Sequence, residues 1–285
     1  MIERTIAARR AAAFLLICSP LIVLPSTISV GHPAIMVAAM IGVTWLFLRR
    51  DGQTLATLGI ELRWRRAGEL LGGYASGVLL IAVVAVGIRL LLPFPWKRNL
   101  QFRPAVAGFS AAYYLCGNSV EELVFRGYGF KRLIEAIGHW RAQLLTALLF
   151  ALFHIFNGWS WQVALVGTTT GSLLFGLVFI RWQSVPAAVG VHAATNWARD
   201  LLLLDPPAAT TLFAPLSPRP WTQGEQLAAG VIFEAVVLIA CALLWRSIRS
   251  RTARSASDVD GAAHQSGAEL LPRVASKAAP LKRGF

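Results

Sequence analysis

Apolar runs of bilayer length, separated by short basic or turn-rich stretches, organise this chain. A hydrocarbon core of about 30 Å takes roughly 20 apolar residues at 1.5 Å rise each. That ruler places eight candidate spans, near 11–30, 33–48, 69–92, 104–122, 142–157, 162–181, 184–204 and 226–246. Arg4, Arg9 and Arg10 precede the first run in the manner of a signal peptide. No small-residue cleavage site follows cleanly, and Pro20 and Pro25 interrupt the run, so it reads as a retained first span. The expected fold class is all-α, a polytopic transmembrane helix bundle of about eight spans. Residues 1–247 form one transmembrane domain with a motif core at 105–204. Between the last two spans, Pro206, Pro207, Pro215, Pro218 and Pro220 mark 205–225 as a long external loop. From 248 to 285 the apolar periodicity stops, and a basic, disordered cytoplasmic tail is expected.

Composition agrees with lipid as the solvent. Hydrophobic residues make up 56% of the chain and charged residues only 14%, against about 25% charged in ordinary soluble domains. This excludes a disordered chain and argues against a soluble enzyme with a single core. The formal net charge of +13 fits either a nucleic-acid binder or a membrane protein with basic cytoplasmic loops. The apolar runs select the second, so the bilayer is an expected partner and nucleic acid is not. Placing both termini in the cytoplasm puts 13 Lys and Arg of the loops inside and 6 outside, before the tail is counted. The localisation expected is therefore the cell (inner) membrane, with N- and C-termini cytoplasmic. Cys18, Cys116 and Cys241 stand apart in apolar runs and read as small buried hydrophobes.

A polar residue at membrane depth is costly and is a functional candidate by default. The fourth span ends in Glu121-Glu122-Leu123-Val124-Phe125-Arg126. Glu122 and Arg126, four apart on a helix, are expected to pair. Glu121, about 100° round the helix, is expected to point elsewhere. His154, in Phe150-Ala151-Leu152-Phe153-His154, is the only ionisable residue between Arg141 and Arg181. His192 and Asn196 lie one turn apart in the seventh span. Counted along their helices, the four fall between the inner interface and the bilayer midplane, roughly 12–18 Å deep for His192, Asn196 and His154. Glu234 in the last span carries no motif, and a structural role is expected.

These three segments resemble the EExxxR, FxxxH and HxxxN motifs of the CPBP family, the CAAX-protease and bacteriocin-processing (Abi) intramembrane proteases. The motifs occur in the family's order on separate spans, and the resemblance covers roughly residues 105–200. It implies an intramembrane endopeptidase acting on a membrane-associated protein or peptide. The chemistry of the residues themselves gives the same division of labour. Glu121 is the general base and His154 the partner of its water, while His192 and Asn196 donate to the oxyanion. Glu122 and Arg126 fix the helix end. No cofactor is expected, although Glu121, Glu122, His154 and His192 are acceptable zinc ligands and a zinc-dependent variant is the alternative. No HExxH pairs two histidines on one helix. Two other functions compete: a non-catalytic scaffold or chaperone of the same fold, and a transporter with a proton relay.

Overall fold

The computed structural model describes residues 2–27, 33–92, 94–203, 207–215 and 219–269. Helix forms at each of the eight predicted runs. These are α1 (Ile2–Thr27), α2 (Pro33–Arg50), α3 (Trp64–Leu91), α4 (Pro104–Phe125), α6 (His139–Phe156), α9 (Val185–Leu202) and α10 (Gln223–Glu269). The sixth run, 161–182, is one continuous helical stretch. It comprises α7 (Trp161–Val163), a π-helical turn at Ala164–Thr168 and α8 (Thr169–Trp182). By length and composition, four helical stretches can cross a membrane: Pro33–Arg50, Trp64–Leu91, Trp161–Trp182 and Gln223–Arg251. The protein is thus an all-α bundle of the membrane type, with four such spans among the described residues where the apolar pattern predicted about eight.

One helix was not expected. α5 (Tyr128–Ile137) fills what reads as a basic loop. Gly127 precedes it, and Gly138, at φ 82°, ends it in a backbone conformation that favours glycine. The helix is strongly amphipathic, burying Tyr128, Phe130, Leu133 and Ala136. Tyr128 meets Phe14 of α1 and Phe47 of α2 with ring centroids 5.3 and 5.2 Å apart, so three helices share one aromatic knot. Beside it, Asp51 is almost fully buried and accepts from the Tyr128 hydroxyl at 2.7 Å. It also pairs with Arg10 at 2.6 Å and with Arg132. Burial first, and then the Asp51 carboxylate, push the Tyr128 phenol up to about 12.

The contact between α3 and α9 is made by missing side chains. A Cβ on Gly73 would lie 2.4 Å from the carbonyl oxygen of Ala187. One on Gly77 would lie 2.5 Å from that of Val191, and one on Gly190 2.2 Å from that of Leu70. Small residues on both helices let the backbones touch, which is how helices associate where lipid supplies no hydrophobic drive. α9 starts at Ser184, whose hydroxyl accepts from the Ala187 N–H at 3.3 Å, with Pro186 in the first turn. The outer side of α3 leaves Leu71, Leu79, Val83, Val86 and Leu90 exposed, a face suited to acyl chains.

Two short strands, β1 (Trp96–Arg98) and β2 (Phe213–Pro215), pair antiparallel across the loops that precede α4 and follow α9. The Asn99 side-chain amide donates to the carbonyls of Ala208 and Thr211 at 2.8 and 3.0 Å, and the Arg103 N–H to that of Ala209 at 2.9 Å. The predicted external loop is therefore partly ordered. The chain divides into two compact units, 1–242 and 243–285, and all the motif residues lie in the first. In the second, helix is described to Glu269, where an unstructured tail was expected from 248. Residues 270–285 lie outside the described residues.

Candidate active site

α9 presses against α3 on one side and meets α4 on the other, and the polar residues of α4 and α9 face each other across that seam. The pairs run in register. Tyr114 donates to Asp200 at 2.5 Å, Asn196 to Asn118 at 3.3 Å, and Asn118 lies 3.1 Å from Nε2 of His192. His192 Nδ1 then lies 2.8 Å from Oε1 of Glu122.

The expected Glu122–Arg126 pair is present at 3.1 Å, with both side chains fully buried. Arg126 extends to α8, donating through Nη2 to the carbonyl oxygen of Ser172 at 2.9 Å and to its hydroxyl at 2.5 Å. Its guanidinium lies over Phe150 and Phe175, 4.8 and 5.5 Å from the ring centroids. A buried cation held in this way is costly to assemble and far costlier to strip of its partner. Phe175 stacks on His192 at 4.1 Å and 20°, closing one face of the imidazole.

Glu121 does not point away from this group. Its Oε2 lies 3.8 Å from Nε2 of His192, so the two adjacent carboxylates reach opposite ends of one imidazole. The helix rotation of 100° separates their Cβ atoms, but side-chain length and the span of the ring close the difference. The two glutamates are nevertheless in different states. Glu122 gives Oε1 to both His192 and Arg126, its Oε2 is buried without a hydrogen-bond partner, and no part of its side chain reaches solvent. The Glu121 side chain keeps 21% of its surface exposed, and its buried Oε2 has no hydrogen-bond partner. An ionised oxygen in that position is strongly driven to accept a hydrogen bond.

His154 completes the group from α6. Its Nδ1 donates to the Phe150 carbonyl at 2.8 Å, which leaves Nε2 as the acceptor. Phe150 stands between the two histidines, its centroid 4.5 Å from His154 and 5.9 Å from His192. Glu121, His192 and Arg126 all lie within electrostatic reach of His154. Trp159 packs edge-on against the His154 ring at 4.9 Å.

Glu121, Glu122, Arg126, His154, His192 and Asn196, drawn from three separate segments, thus converge in the first unit. Asn118, Ser172 and Phe175 join them without any motif to mark them. Asn118 precedes Glu121 by three residues, the spacing that shares a helix face, and that was the only available signal. Among the described residues no three His, Cys, Asp or Glu side chains are placed to hold a metal ion together. Glu122 and His192 satisfy each other, and the Arg126 guanidinium beside them opposes a further cation. Cys116 is a free thiol, only partly buried, and takes no part in the cluster. Glu234 accepts from the Thr170 hydroxyl at 2.6 Å beside the π-helical turn, a helix-to-helix contact.

Residues 103–198 match the family described as Rce1-like, Type II CAAX prenyl endopeptidase Rce1-like. The matched segment contains all six motif residues and agrees with the CAAX-protease resemblance carried by EELVFR, FALFH and HAATN. No curated protein and no solved structure matches the chain. The family and the apolar helices together support an integral membrane peptidase of the CAAX-protease type, a hydrolase whose substrate is a peptide or protein.

Proposed function

We propose that this protein is a glutamate-type intramembrane endopeptidase that cleaves near the C-terminus of a membrane-associated protein, a prenylated CaaX sequence being the substrate class that the matched family suggests. The observation that carries this reading is the contrast between the two glutamates. Each keeps one buried oxygen without a hydrogen-bond partner, but Glu122 is closed to solvent and held through Oε1 by His192 and Arg126, while Glu121 stands 3.8 Å from His192 and keeps 21% of its side chain exposed. Glu121 takes a proton from a water that the Nε2 acceptor of His154 helps to orient, and the water oxygen attacks the scissile carbonyl. The proton then passes to the leaving amine. Stabilisation of the oxyanion is assigned to the N–H groups of Asn196 and His192.

The glutamate mechanism is preferred to the zinc variant because Glu122 and His192 are already committed to each other and to Arg126. The test uses purified full-length protein in detergent with a fluorogenic farnesylated CaaX peptide. Cleavage is expected, with near-complete loss in folded Glu121→Gln and no effect of chelators. Inhibition by a chelator that zinc reverses would transfer the site to metal chemistry. Full activity of folded Glu121→Gln would remove Glu121 as base. Absence of cleavage across prenylated and unprenylated peptides would favour the scaffold.

A further inference from the structure

Three aromatic side chains enclose the His154 ring. Phe150, 4.5 Å away, is buried in the core, and Phe153, 5.3 Å away, packs against it. The third, Trp159, lies edge-on at 4.9 Å and keeps 42% of its surface exposed. It alone of the three presents an open apolar face beside the imidazole. Its place is fixed by the way α6 ends. The Asn157 side-chain amide donates to the Phe153 carbonyl at 2.8 Å, and Gly158, at φ 87°, turns the chain back. The Trp159 N–H then donates to the His154 carbonyl at 3.0 Å. Backbone and side chain of Trp159 are thus both held on His154, and Ser160 caps α7 directly after it. From 142 to 180 the sequence holds no Asp, Glu, Lys or Arg. A charged substrate residue resting here finds no counter-charge on this segment, whereas an apolar one covers indole surface and is withdrawn from water.

We propose that Trp159 is a specificity-determining residue whose indole receives an apolar group flanking the scissile bond. This rests on the peptidase reading, which brings the scissile carbonyl to the water between Glu121 and His154. The neighbouring residues of the peptide then lie one Cα step, about 3.8 Å, to either side. The indole stands 4.9 Å from the imidazole, within reach of a side chain on such a neighbour. A prenylated CaaX substrate carries two groups of the right chemistry, the isoprenoid on its cysteine and the aliphatic side chain next to it. A large group gains the indole contact at the step where the carbonyl is attacked, and a small one does not, so Trp159 discriminates between them.

The experiment compares wild type, Trp159→Ala and Trp159→Phe as full-length proteins in detergent on two pairs of CaaX peptides. One pair carries farnesyl or methyl on the cysteine, and the other carries valine or glycine at the position after it. In the wild type, kcat/KM is expected to favour the larger group of at least one pair. Trp159→Ala is expected to lower that preference about 10-fold, chiefly by slowing the larger peptide, and Trp159→Phe to retain most of it. The pair that loses its preference identifies the group that rests on the indole. A wild type indifferent to both pairs, or preferences unchanged in folded Trp159→Ala, overturns the proposal. An equal fall for every peptide also overturns it, because Trp159 would then only support His154. A second measurement needs neither turnover nor the alanine variant. Folded Glu121→Gln protein is irradiated with peptides carrying a diazirine on the isoprenoid or on the aliphatic residue. An adduct on Trp159 is expected from one of them, and its absence from both overturns the proposal. No cleavage by the wild type, or full activity in folded Glu121→Gln, defeats the peptidase reading, and the adduct then decides the contact alone.

Discussion

Glu122 and His192 stand 70 positions apart in the chain, and their side chains meet at 2.8 Å. The carboxylate is fully buried and the imidazole nearly so, and the same oxygen also receives Arg126 at 3.1 Å. This contact ties α4 to α9 through a charge withdrawn from solvent.

Removal of the carboxylate should therefore act on the fold before it acts on the chemistry. Glu122→Ala leaves a buried guanidinium without its counter-charge, a change that costs about 3–5 kcal/mol. The expected outcome is a lower melting temperature in detergent and a reduced yield of folded protein. Glu122→Gln retains a hydrogen-bond acceptor and should melt between the alanine variant and the wild type. An alanine variant as stable as the wild type would contradict the buried pairing.

Backbone proximity between α3 and α9 makes Gly77 intolerant of any side chain. The added methyl of Gly77→Ala would sit 2.5 Å from the Val191 carbonyl and 2.7 Å from the Ala194 methyl. Overpacking of this kind costs about 1–3 kcal/mol. Because α9 carries His192 and Asn196, the displacement should also lower kcat. Thermal unfolding and peptide turnover of the same preparation check both effects. Gly72→Ala, which meets open space, serves as the control.

A titration follows from the cluster around Asp51. The Tyr128 phenol is raised from 10 to about 12 in the folded protein, chiefly by burial and next by its hydrogen bond to Asp51. A group whose folded value is raised contributes stability that is fully present below the unfolded value and is lost as pH rises through the folded one. Stability should thus decline between pH 10 and about 12. Tyr128→Phe should be less stable at neutral pH and show a shallower decline across that window. Detergent melts at stepped pH provide the comparison.

The orientation proposed from charge also has a direct test. Both termini are expected on the cytoplasmic side, from the excess of Lys and Arg in loops on that side. Reporter fusions after residue 250 and within 207–215 should report cytoplasmic and external locations respectively. A periplasmic signal from the C-terminal fusion would reverse the assignment.

The sequence made the chemistry more legible than the architecture. EELVFR, FALFH and HAATN are local patterns whose spacings already put Glu122 over Arg126 and His192 beneath Asn196. Their convergence followed because each is polar where its helix is otherwise apolar. Asn118 was illegible because one amide three residues before a glutamate has no meaning until α9 is placed opposite it. Gly73, Gly77 and Gly190 were passed over for a related reason, since glycine adds nothing to an apolar count and its contribution is a shorter distance between helices. α5 was missed because Lys131, Arg132 and Glu135 conceal an apolar face of only ten residues. The apolar runs located the helices, and four of the helical stretches are long and apolar enough to cross a bilayer.

The strand pair at Trp96–Arg98 and Phe213–Pro215 gives the seam a pivot. It binds the beginning of α4 to the end of α9, like the spring of a clothes-peg, with Glu121 far along one jaw. Pro104 and Glu121 are 17 residues apart, which is about 25 Å of helix. A tilt of about 5° at the pivot then moves the carboxylate by about 2 Å at that rise. Stiffness at the loops is thereby magnified into alignment at the imidazole. Loosening a backbone pair such as Arg98–Phe213 should broaden the distribution of distances between α4 and α9 most strongly at the end that carries the glutamates.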